Sequence, residues 1–228
     1  MLPQRNEVLV VVAHPDDEIL GLAGTIRKHV LTGDRVHVLA LTDGYSSRAS
    51  TADSEGPSRK KAALTAAQIV GFNWLESEPY PDNALDSVSL LKVVKEVENA
   101  KALIEPSMLY THSSADLNID HQIVSRACLT AFRPQPKEAC KEIRLFETPS
   151  ATDYGHPSVT GQFIPNLYID IATTWEVKEK ALEAYRSELR EFPHSRSMEA
   201  ITNLAATRGC QVGLSKAEAF EVIRKVET

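Results

Sequence analysis

Five consecutive apolar residues near the start of the chain, Val8 to Val12, constrain the fold more than any other feature of the sequence. Four of them are valine, and β-branched residues favour strands. A strand with one face in water alternates apolar and polar residues, whereas a strand buried on both faces is apolar throughout. Such strands occur where helices cover both sides of a parallel sheet. We therefore expect a parallel sheet in which this strand is central.

Strand-like and helix-like patterns alternate through the first part of the chain. A strand over Glu7–Ala13 is followed by a helical pattern over Glu18–Thr32 and a second strand over Arg35–Thr42, which is the order of a β-α-β unit. A length of 228 residues is ordinary for one domain. We predict a single α/β domain of Rossmann-like type, with a mostly parallel sheet and helices on both faces. Further strands are predicted at 72–75, 107–111, 143–147 and 166–171, and further helices at 63–70, 90–104 and 120–131.

The chain is predicted to consist of a Rossmann-like core, 1–147, and a C-terminal part, 148–228, where the strict alternation ends. The polar stretch 43–58 predicts a loop in the core. The stretch 148–163 is rich in Ser, Thr, Gly and Pro, and its length indicates either a functional lid or disorder. Apolar residues at helical spacing predict a late helix, and they are Leu182, Tyr185, Leu189 and Phe192.

The charge balance limits the partners of the chain. Its 31 acidic and 25 basic residues give a net charge of −6, which argues against binding to nucleic acid or anionic lipid. The longest apolar run near the start, 8–13, is too short for a signal peptide or a membrane span, so a cytoplasmic location is expected. Three cysteines, Cys128, Cys140 and Cys210, form no CxxC pair and indicate reduced thiols.

The segment after the first strand, residues 14–18, reads His-Pro-Asp-Asp-Glu. Ligands of open parallel sheets bind beyond the carboxyl ends of the strands, so this loop is a candidate site. A phosphate-binding loop would carry glycines, whereas three adjacent carboxylates repel phosphate and attract a cation. Helix capping explains one or two of these acids, but it does not explain His14. An imidazole beside carboxylates suits zinc better than magnesium.

A second cluster follows the predicted strand that ends at Thr111. It contains two histidines and two aspartates, His112, Asp116, Asp120 and His121. If this strand lies beside the first one, His14 and Asp17 can share one coordination sphere with His121. Three protein ligands with an open fourth position are typical of a catalytic zinc site, whereas structural zinc sites are closed by four. We therefore expect a catalytic zinc site at this edge of the sheet.

The two loops together resemble the motifs of a known family. Ala13 with the segment 14–18, followed about a hundred residues later by Asp120-His121, is similar to the zinc-dependent de-N-acetylases of the LmbE-like, or PIG-L, family. The resemblance extends over nearly the whole chain. Its less specific parts are Thr42-Asp43-Gly44, Arg59 with the alanine-rich run into Gly71, and the stretch from His194-Ser195-Arg196-Ser197 to Phe220.

This resemblance implies a Rossmann-like fold with one Zn²⁺ ion that hydrolyses the acetamido group of an N-acetylated amino sugar. The sugar, commonly N-acetylglucosamine, would be free, nucleotide-linked or glycoside-linked. The resemblance also implies His14, Asp17 and His121 as zinc ligands and Asp16 as general base. The chemistry agrees, because zinc lowers the pKa of bound water to about 7 and polarises an amide carbonyl. Resemblance and base rates further indicate a homo-oligomer.

One position departs from the family pattern. Many members carry His-x-x-His in the second motif, and Asn118 stands at the first of these histidines. Asparagine can donate a hydrogen bond to an oxyanion, but it cannot shuttle a proton. We count Asn118 and Asp120 among the catalytic candidates, and Asp116 and Asp120 also suit ligand orientation or helix capping. Histidines that could supply a proton instead are His112, His156 and His194.

Substrate contacts are predicted from residue type and position. Arg59 and Arg196 suit either a phosphate or carboxylate of the substrate or a surface ion pair. Aromatic residues make up 6% of the chain, which is too few for a long sugar-stacking platform, so we expect a small or mid-sized substrate. Candidates for the pocket wall are Tyr45, His112, Tyr154, His156 and His194.

Three other functions are compatible with parts of this pattern. A deformylase or another amide hydrolase would use the same metal. A phosphoryl-transfer domain also has acids after its first strand, but it needs neither His14 nor a distant Asp-His pair. A non-catalytic zinc- or sugar-binding protein has no use for an uncoordinated Asp16 beside an open metal. The residues therefore favour an amide hydrolase.

Overall fold

The computed structural model describes residues 5–47 and 52–227. The strands are β1 (Glu7–Val12), β2 (Arg35–Ala40), β3 (Asn73–Trp74), β4 (Met108–His112), β5 (Glu142–Phe146), β6 (Leu167–Asp170) and β7 (Ala217–Lys225). The α-helices are α1 (Asp17–Thr32), α2 (Ala52–Val70), α3 (Leu90–Ile104), α4 (Ile119–Ala131), α5 (Trp175–Ala184) and α6 (Met198–Cys210).

The strands form one sheet in the order β3-β2-β1-β4-β5-β7-β6. Strand β1 pairs in parallel with both β2 and β4, so that Val10 lies opposite Val38 on one side and Tyr110 on the other. Parallel pairing extends to β3 and β5, whereas β7 is antiparallel to β5 and β6. The predicted α/β class, the mostly parallel sheet and the central first strand are confirmed.

Alternate side chains of β1 enter two separate hydrophobic cores. Val8, Val10 and Val12 pack in the core beneath α1, α2, α5 and α6. Leu9 and Val11 pack in the core beneath α3 and α4. All five are fully buried, and each such burial contributes about 1.5–3 kcal/mol. The run therefore lacks polar residues because neither face of the strand meets water.

Helix α2 begins earlier than the sequence pattern predicts. The predicted loop over 43–58 is wrong from Ala52 onward, because the helix starts there and continues through Pro57 to Val70. The Gly-Pro-Ser sequence is a local signal for a loop. Here it is overridden by the alanine-rich face of α2, which packs into the core. Residues 48–51 of the predicted loop lie outside the described residues.

The C-terminal part differs more from the prediction. The late helix is wrong beyond Ala184, because α5 ends there, a 3₁₀ turn follows at Arg186–Glu188, and Phe192 is exposed. Helix α6 and strand β7 are not predicted at all. Strand β7 lies between β5 and β6, although it follows both in sequence. The local pattern of β7 does not encode which distant strands it pairs with.

The sheet register brings the two candidate metal loops together. Because β1 and β4 are parallel neighbours, the loops that follow them emerge side by side at the carboxyl edge of the sheet. The expected meeting of His14 and Asp17 with His121 was conditional on these two strands being neighbours, and that condition is met. In the described parts of the chain, no helix is both long enough and apolar enough to cross a membrane.

Candidate metal centre

The loop after β1 contains a backbone conformation that aspartate rarely adopts. Asp16 has φ 140° and ψ −26°, where a side chain strains the backbone. Glu18 Oε2 accepts the Asp16 N–H at 3.0 Å, and Asp17 Oδ2 accepts the His14 N–H at 2.9 Å. The Asp16 side chain makes no capping hydrogen bond at the start of α1. Capping therefore accounts for Glu18, but it leaves the Asp16 carboxyl available for another role.

Three side-chain atoms from the two loops converge on one point. His14 Nδ1 lies 3.2 Å from both Asp17 Oδ2 and His121 Nε2, and these last two atoms are 3.3 Å apart. Ligand atoms about 2.1 Å from a tetrahedral zinc ion are themselves roughly 3.4 Å apart. Asp17 Oδ1 is buried and has no hydrogen-bond partner in the described part of the chain. The donor set and its spacing therefore fit a divalent metal such as zinc.

Carboxylates hold the outer nitrogens of both imidazoles. His121 Nδ1 lies 2.7 Å from Asp116 Oδ2. His14 Nε2 lies 3.2 Å from Asp120 Oδ2 and 3.1 Å from Asp82 Oδ1. Metal-binding histidines usually donate their second N–H to such a carboxylate, which fixes the ring and its tautomer. The arrangement leaves His14 Nδ1 and His121 Nε2 as the two nitrogens that can face a metal.

The centre concentrates negative charge inside the protein. Burial lowers the pKa of His121, but the carboxylates of Asp17 and Asp116 outweigh it and raise the pKa to about 9. Burial also opposes protonation of His14, whose pKa is nevertheless raised well above its usual value, most strongly by Asp120. A bound cation would compete with protons for these histidine nitrogens.

Asp16 lies beside this centre in an environment of its own. Its carboxyl group is buried, and Oδ2 lies 3.2 Å from Arg59 Nη2 and 3.3 Å from Arg196 Nη1. Oδ1 has no hydrogen-bond partner within residues 5–47 and 52–227. Burial raises the pKa of Asp16, and the two guanidinium groups partly offset that rise. Arg59 is itself held by Glu188 Oε1 at 2.5 Å from Nη1.

Asn118 is the N-cap of α4. Its Oδ1 accepts the N–H groups of Asp120 at 2.8 Å and His121 at 3.4 Å, and its Nδ2 donates to Asn83 Oδ1 at 3.2 Å. Capping by Asp116 or Asp120, one of the two roles expected for them, is therefore wrong, because the asparagine already holds that position. Both aspartates contact histidine rings of the centre instead.

His112 lies under the centre and is fully buried. Its Nε2 accepts the Ala13 N–H at 2.9 Å, and its Nδ1 faces Thr148 Oγ1 at 3.4 Å. The ring stacks on that of His121 with the centroids 3.9 Å apart. Burial, and then the charge of His121, lowers its pKa well below the usual value. His112 therefore supports the His121 ring, and its substrate contact stays a prediction.

The remaining candidates for substrate contact lie around the Arg196 side of the centre. The rings of Tyr154 and His194 meet edge to face at 6.3 Å, and His194 Nδ1 accepts the Arg196 N–H at 3.0 Å. Arg196 Nε donates to Ser150 Oγ at 2.6 Å. The structure thus brings Tyr154, His194 and Arg196 together. His156 is exposed and its Nδ1 bonds to Ser158 at 2.7 Å.

Two residues of the centre escaped the sequence analysis. Asp82 is in the segment after β3, a third parallel strand that ends at the same edge of the sheet, and this position is a signal that sequence reasoning could have used. Burial opposes its ionisation, but His14 and Ser47 lower its pKa to about 2. Glu188 offers no such signal, because its pairing with Arg59 depends on how the chain folds beyond α5.

A cleft borders the centre on the side of Arg59. Its volume is about 1030 Å³, which is at the upper limit for small-molecule sites. Pro15 and Arg59 line both the cleft and the centre, since Arg59 Nη2 donates to the Pro15 carbonyl at 2.7 Å. Tyr45 and Trp74 contribute aromatic surface to the same cleft.

Comparison with known proteins assigns the family. The model of the PIG-L family, described as GlcNAc-PI de-N-acetylase, matches residues 9–132. That segment includes both loops of the centre and covers more than half of the 228 residues. The chain belongs to the PIG-L family, and the resemblance predicted from the two motifs is confirmed. Its place among the deacetylases, which are hydrolases of amide bonds, follows from this membership.

Relatives and solved structures agree with this assignment. The probable N-acetyl-alpha-D-glucosaminyl L-malate deacetylase 2 of Bacillus cereus is 27% identical, over 81% of this chain and 84% of its own. N,N'-diacetylchitobiose deacetylase from Pyrococcus horikoshii superposes with a TM-score of 0.73 at 22% identity, covering 95% of this chain and 83% of its own.

A third protein has the same fold but is named for a different reaction. The 4-carboxy-2-hydroxymuconate hydratase from Pseudomonas putida superposes with a TM-score of 0.76 at 19% identity, over 97% of both chains. Its name describes a hydratase, whereas the two proteins above are named as deacetylases. The fold alone therefore does not define the reaction, and the chemistry has to be argued from the residues of the centre.

Proposed function

We propose that this protein is a zinc-dependent hydrolase that removes the N-acetyl group from an N-acetylated amino sugar. The observation that carries the proposal is the convergence of His14 Nδ1, Asp17 Oδ2 and His121 Nε2 within 3.2–3.3 Å of one another. These three residues would hold the zinc ion. When bound, zinc supplies a Lewis acid that activates water and polarises the amide carbonyl.

Asp16 is the proposed general base and acid. Its Oδ1 accepts a proton from the attacking water and then delivers it to the nitrogen of the leaving amine, so that the amide C–N bond breaks into acetate and a free amine. Arg59 and Arg196 hold the other oxygen at 3.2 and 3.3 Å, which fixes the carboxyl group. The strained backbone at φ 140° supports this role, because strain of this kind clusters at functional sites.

The surrounding polar groups are proposed to orient the ligands and the substrate. Asp116 and Asp120 hold the outer nitrogens of His121 and His14, and a negative charge there strengthens both imidazoles as ligands. Asn118 is the proposed hydrogen-bond donor to the oxyanion through Nδ2. Nδ2 carries two hydrogens, so one can remain on Asn83 Oδ1 at 3.2 Å while the other is directed to the oxyanion.

The substrate is proposed to enter between two sides of the centre. Tyr154, His194 and Arg196 form one side, and residues 148–163, which include Tyr154, are the proposed lid. The cleft beside Arg59 would accept the group attached to the amino sugar. Arg59 already pairs with Asp16 and Glu188, so Arg196, with a fifth of its side chain exposed, is the better candidate for an anionic group of the substrate.

The cellular setting is proposed as well. Cys128 and Cys140 are buried free thiols and Cys210 is an exposed one, which supports a reducing, cytoplasmic location. Base rates favour a homo-oligomer. Light scattering of the purified protein would test the assembly, and a mass equal to one chain would contradict it.

The experiment that tests the proposed function measures bound metal, acetate and free amine together. The substrates are N-acetylated amino sugars, free or linked to a nucleotide or a second sugar, and N-formyl analogues. We expect zinc-dependent acetate release by the native chain. Asp16→Asn should keep the metal but lose about 10²–10⁴-fold in turnover.

The matched control is Asp34→Asn, which alters another carboxylate paired with histidine, at 2.7 Å from His29 and away from the centre. This variant should keep its turnover. Full activity of Asp16→Asn would remove Asp16 from the mechanism. Formate release without acetate release would instead support a deformylase, and metal binding without any amine release would support a non-catalytic protein.

A further inference from the structure

Helix α1, whose first turn carries Asp17, is broken in its interior. Leu22 has φ −146° and ψ 22°, far from helical values. The helix therefore consists of a short first segment, 17–21, and a longer second segment, 23–32. Breaks of this kind leave N–H groups at the start of the second segment and carbonyl groups at the end of the first, and a buried break needs partners for both.

A carboxylate from the far end of the chain supplies the partners for the N–H groups. Glu218 Oε1 accepts the Gly24 N–H at 3.0 Å, and Glu218 Oε2 accepts the Thr25 N–H at 2.7 Å. A negative charge at this position is also favoured by the dipole of the second segment. Glu218, which is in β7, thus acts as an N-cap for a helix segment 193–194 residues earlier in the chain.

An ammonium group supplies the partner for the first segment. Lys178 Nζ, from α5, donates to the Leu20 carbonyl at 3.0 Å and pairs with Glu218 Oε1 at 2.7 Å. Each of the two side chains is only 3% exposed. A buried ion pair is weak evidence for stability by itself, because removing two charges from water opposes their attraction. This pair differs from other ion pairs because its two side chains bond to the backbone on both sides of the helix break.

Close packing prevents the helix from shifting at the same point. A Cβ atom added at Gly21 would lie 2.4 Å from Phe146 Cδ2, and one added at Gly24 would lie 2.7 Å from Ile171 Cγ2. Thr174 Oγ1 also donates to the Gly24 carbonyl at 3.0 Å. The break is therefore held by β5, β7 and the residues around α5, all of them outside the segment 9–132 that matches the family model.

We propose that Lys178 and Glu218 are positioning residues, which set the direction of the first turn of α1 and thereby bring the Asp17 carboxylate to the metal centre. The inference rests on the proposed function only in taking His14, Asp17 and His121 as the metal ligands. It predicts that the affinity for metal depends on two side chains that do not contact the metal.

The test uses Glu218→Gln in the full chain, with zinc alone as the probe. The glutamine removes the charge and one of the two acceptor atoms. We expect zinc affinity, measured by competition with a chelating dye, to fall at least tenfold, and the Gly24 and Thr25 amides to exchange their hydrogens at least tenfold faster. Circular dichroism checks that the variant is folded. Glu218→Asp, which withdraws the carboxylate by one methylene group, gives the same test if the first variant does not fold.

The matched control is Glu138→Gln, which removes the charge from another lysine-glutamate pair, that with Lys101 at 2.6 Å. It should leave zinc affinity within twofold of the native value. The exchanged pair Lys178→Glu with Glu218→Lys separates two explanations, because lysine cannot accept the helix N–H groups. If only the opposite charges mattered, the exchange would restore zinc affinity, and that result would overturn the proposal.

Failure of the inference and failure of the proposed function have different outcomes. A native chain that binds no zinc contradicts the proposed function, and the exchange rates of the Gly24 and Thr25 amides in the metal-free protein still test the helix cap. A native chain that binds zinc, with Glu218→Gln binding it equally well, overturns the positioning role alone. Loss of zinc affinity in Glu218→Gln and not in Glu138→Gln supports the inference whatever the substrate is.

Discussion

Two groups of histidine and aspartate lie at opposite ends of helix α1, one buried and one partly buried, and they are built differently. At the start of the helix, His14, Asp17 and His121 direct three atoms to one point, and Asp17 Oδ1 has no hydrogen-bond partner in the described residues. At the other end, His29 Nδ1 bonds to Asp34 Oδ2 at 2.7 Å, and its Nε2 bonds to the Tyr110 hydroxyl at 2.9 Å.

The second group satisfies its polar atoms internally. A neutral His29 donates from Nδ1 to Asp34 and accepts the Tyr110 O–H at Nε2, and the Tyr110 oxygen accepts an N–H of Arg144 at 2.6 Å. Every ring nitrogen then has one donor or acceptor role, and no point remains where several ligand atoms converge. The comparison shows that residue type alone does not make a metal site. What distinguishes the candidate metal centre is convergent lone pairs together with a buried oxygen, Asp17 Oδ1, that has no partner in the described residues.

The largest expected effect comes from replacing one histidine in each of the two groups. His121→Ala removes one of the three proposed ligands, so it should abolish stoichiometric zinc binding and reduce acetate release by about 10³-fold or more. His29→Ala should keep both the metal and at least a third of the activity, and lose stability instead. Metal analysis, the acetate assay and urea unfolding check these outcomes. Zinc binding that survives in His121→Ala would refute the ligand set.

How much the sequence predicts also differs between parts of the molecule. The strand Val8–Val12 and the motif after it are local patterns, and the sequence analysis took pairing with the strand that ends near Thr111 as a condition, which the sheet order meets. These signals were enough to predict the convergence of His14, Asp17 and His121. They were also enough to predict the fold class, because burial on both faces leaves a run of apolar residues that is visible in the sequence.

The parts that were not predicted depend on contacts between distant residues. The break in α1 at Leu22 has no local signal beyond two glycines, and its partners Lys178 and Glu218 follow it by more than 150 residues. Glu188 reaches Arg59 from a 3₁₀ turn whose position is set by packing of the chain beyond α5. A buried carboxylate is recognisable as functional only after its partner is known. The local sequence around the carboxylate does not indicate which distant residue that partner is.

A smaller effect distinguishes the two possible roles of Asn118. Asn118→Ser keeps a good N-cap, because serine is nearly as effective there as asparagine, but it removes the amide donor. We expect the free energy of unfolding to stay within about 0.5 kcal/mol of the native value, and kcat to fall by about 10²-fold if Nδ2 stabilises the oxyanion. An unchanged kcat would mean that Asn118 is only a cap.

The comparison for this substitution is the cap of α6, which follows Arg196 in the chain. Ser197 Oγ accepts the Ala200 N–H at 3.0 Å at the start of α6. Ser197→Ala should lower the free energy of unfolding by about 1 kcal/mol and lower kcat by less than Asn118→Ser does, because the Ser197 hydroxyl is not proposed to contact the substrate. Urea unfolding and initial rates on the best substrate measure both quantities.

The smallest expected effect is on the pH dependence of stability, and it comes from His29 with its partners Asp34 and Tyr110. Burial lowers the pKa of His29, and the hydrogen bond to Asp34 only partly offsets this. Below the usual histidine value of about 6.5, the unfolded chain therefore binds a proton more readily than the folded chain does. This contribution to stability is fully present above that value and is lost as the pH falls through it.

The difference between native protein and His29→Gln isolates this contribution, because the titrations at the metal centre are common to both. From pH 7.5 to pH 5.5, the native free energy of unfolding should decrease more than that of the variant, as measured by urea titration at each pH. The pKa of Asp34 is lowered, so this carboxylate stays ionised across the interval and does not reverse the sign. Equal losses in the two proteins would mean that His29 is protonated as readily in the folded chain as in the unfolded chain, which would contradict a neutral ring that accepts the Tyr110 O–H at Nε2.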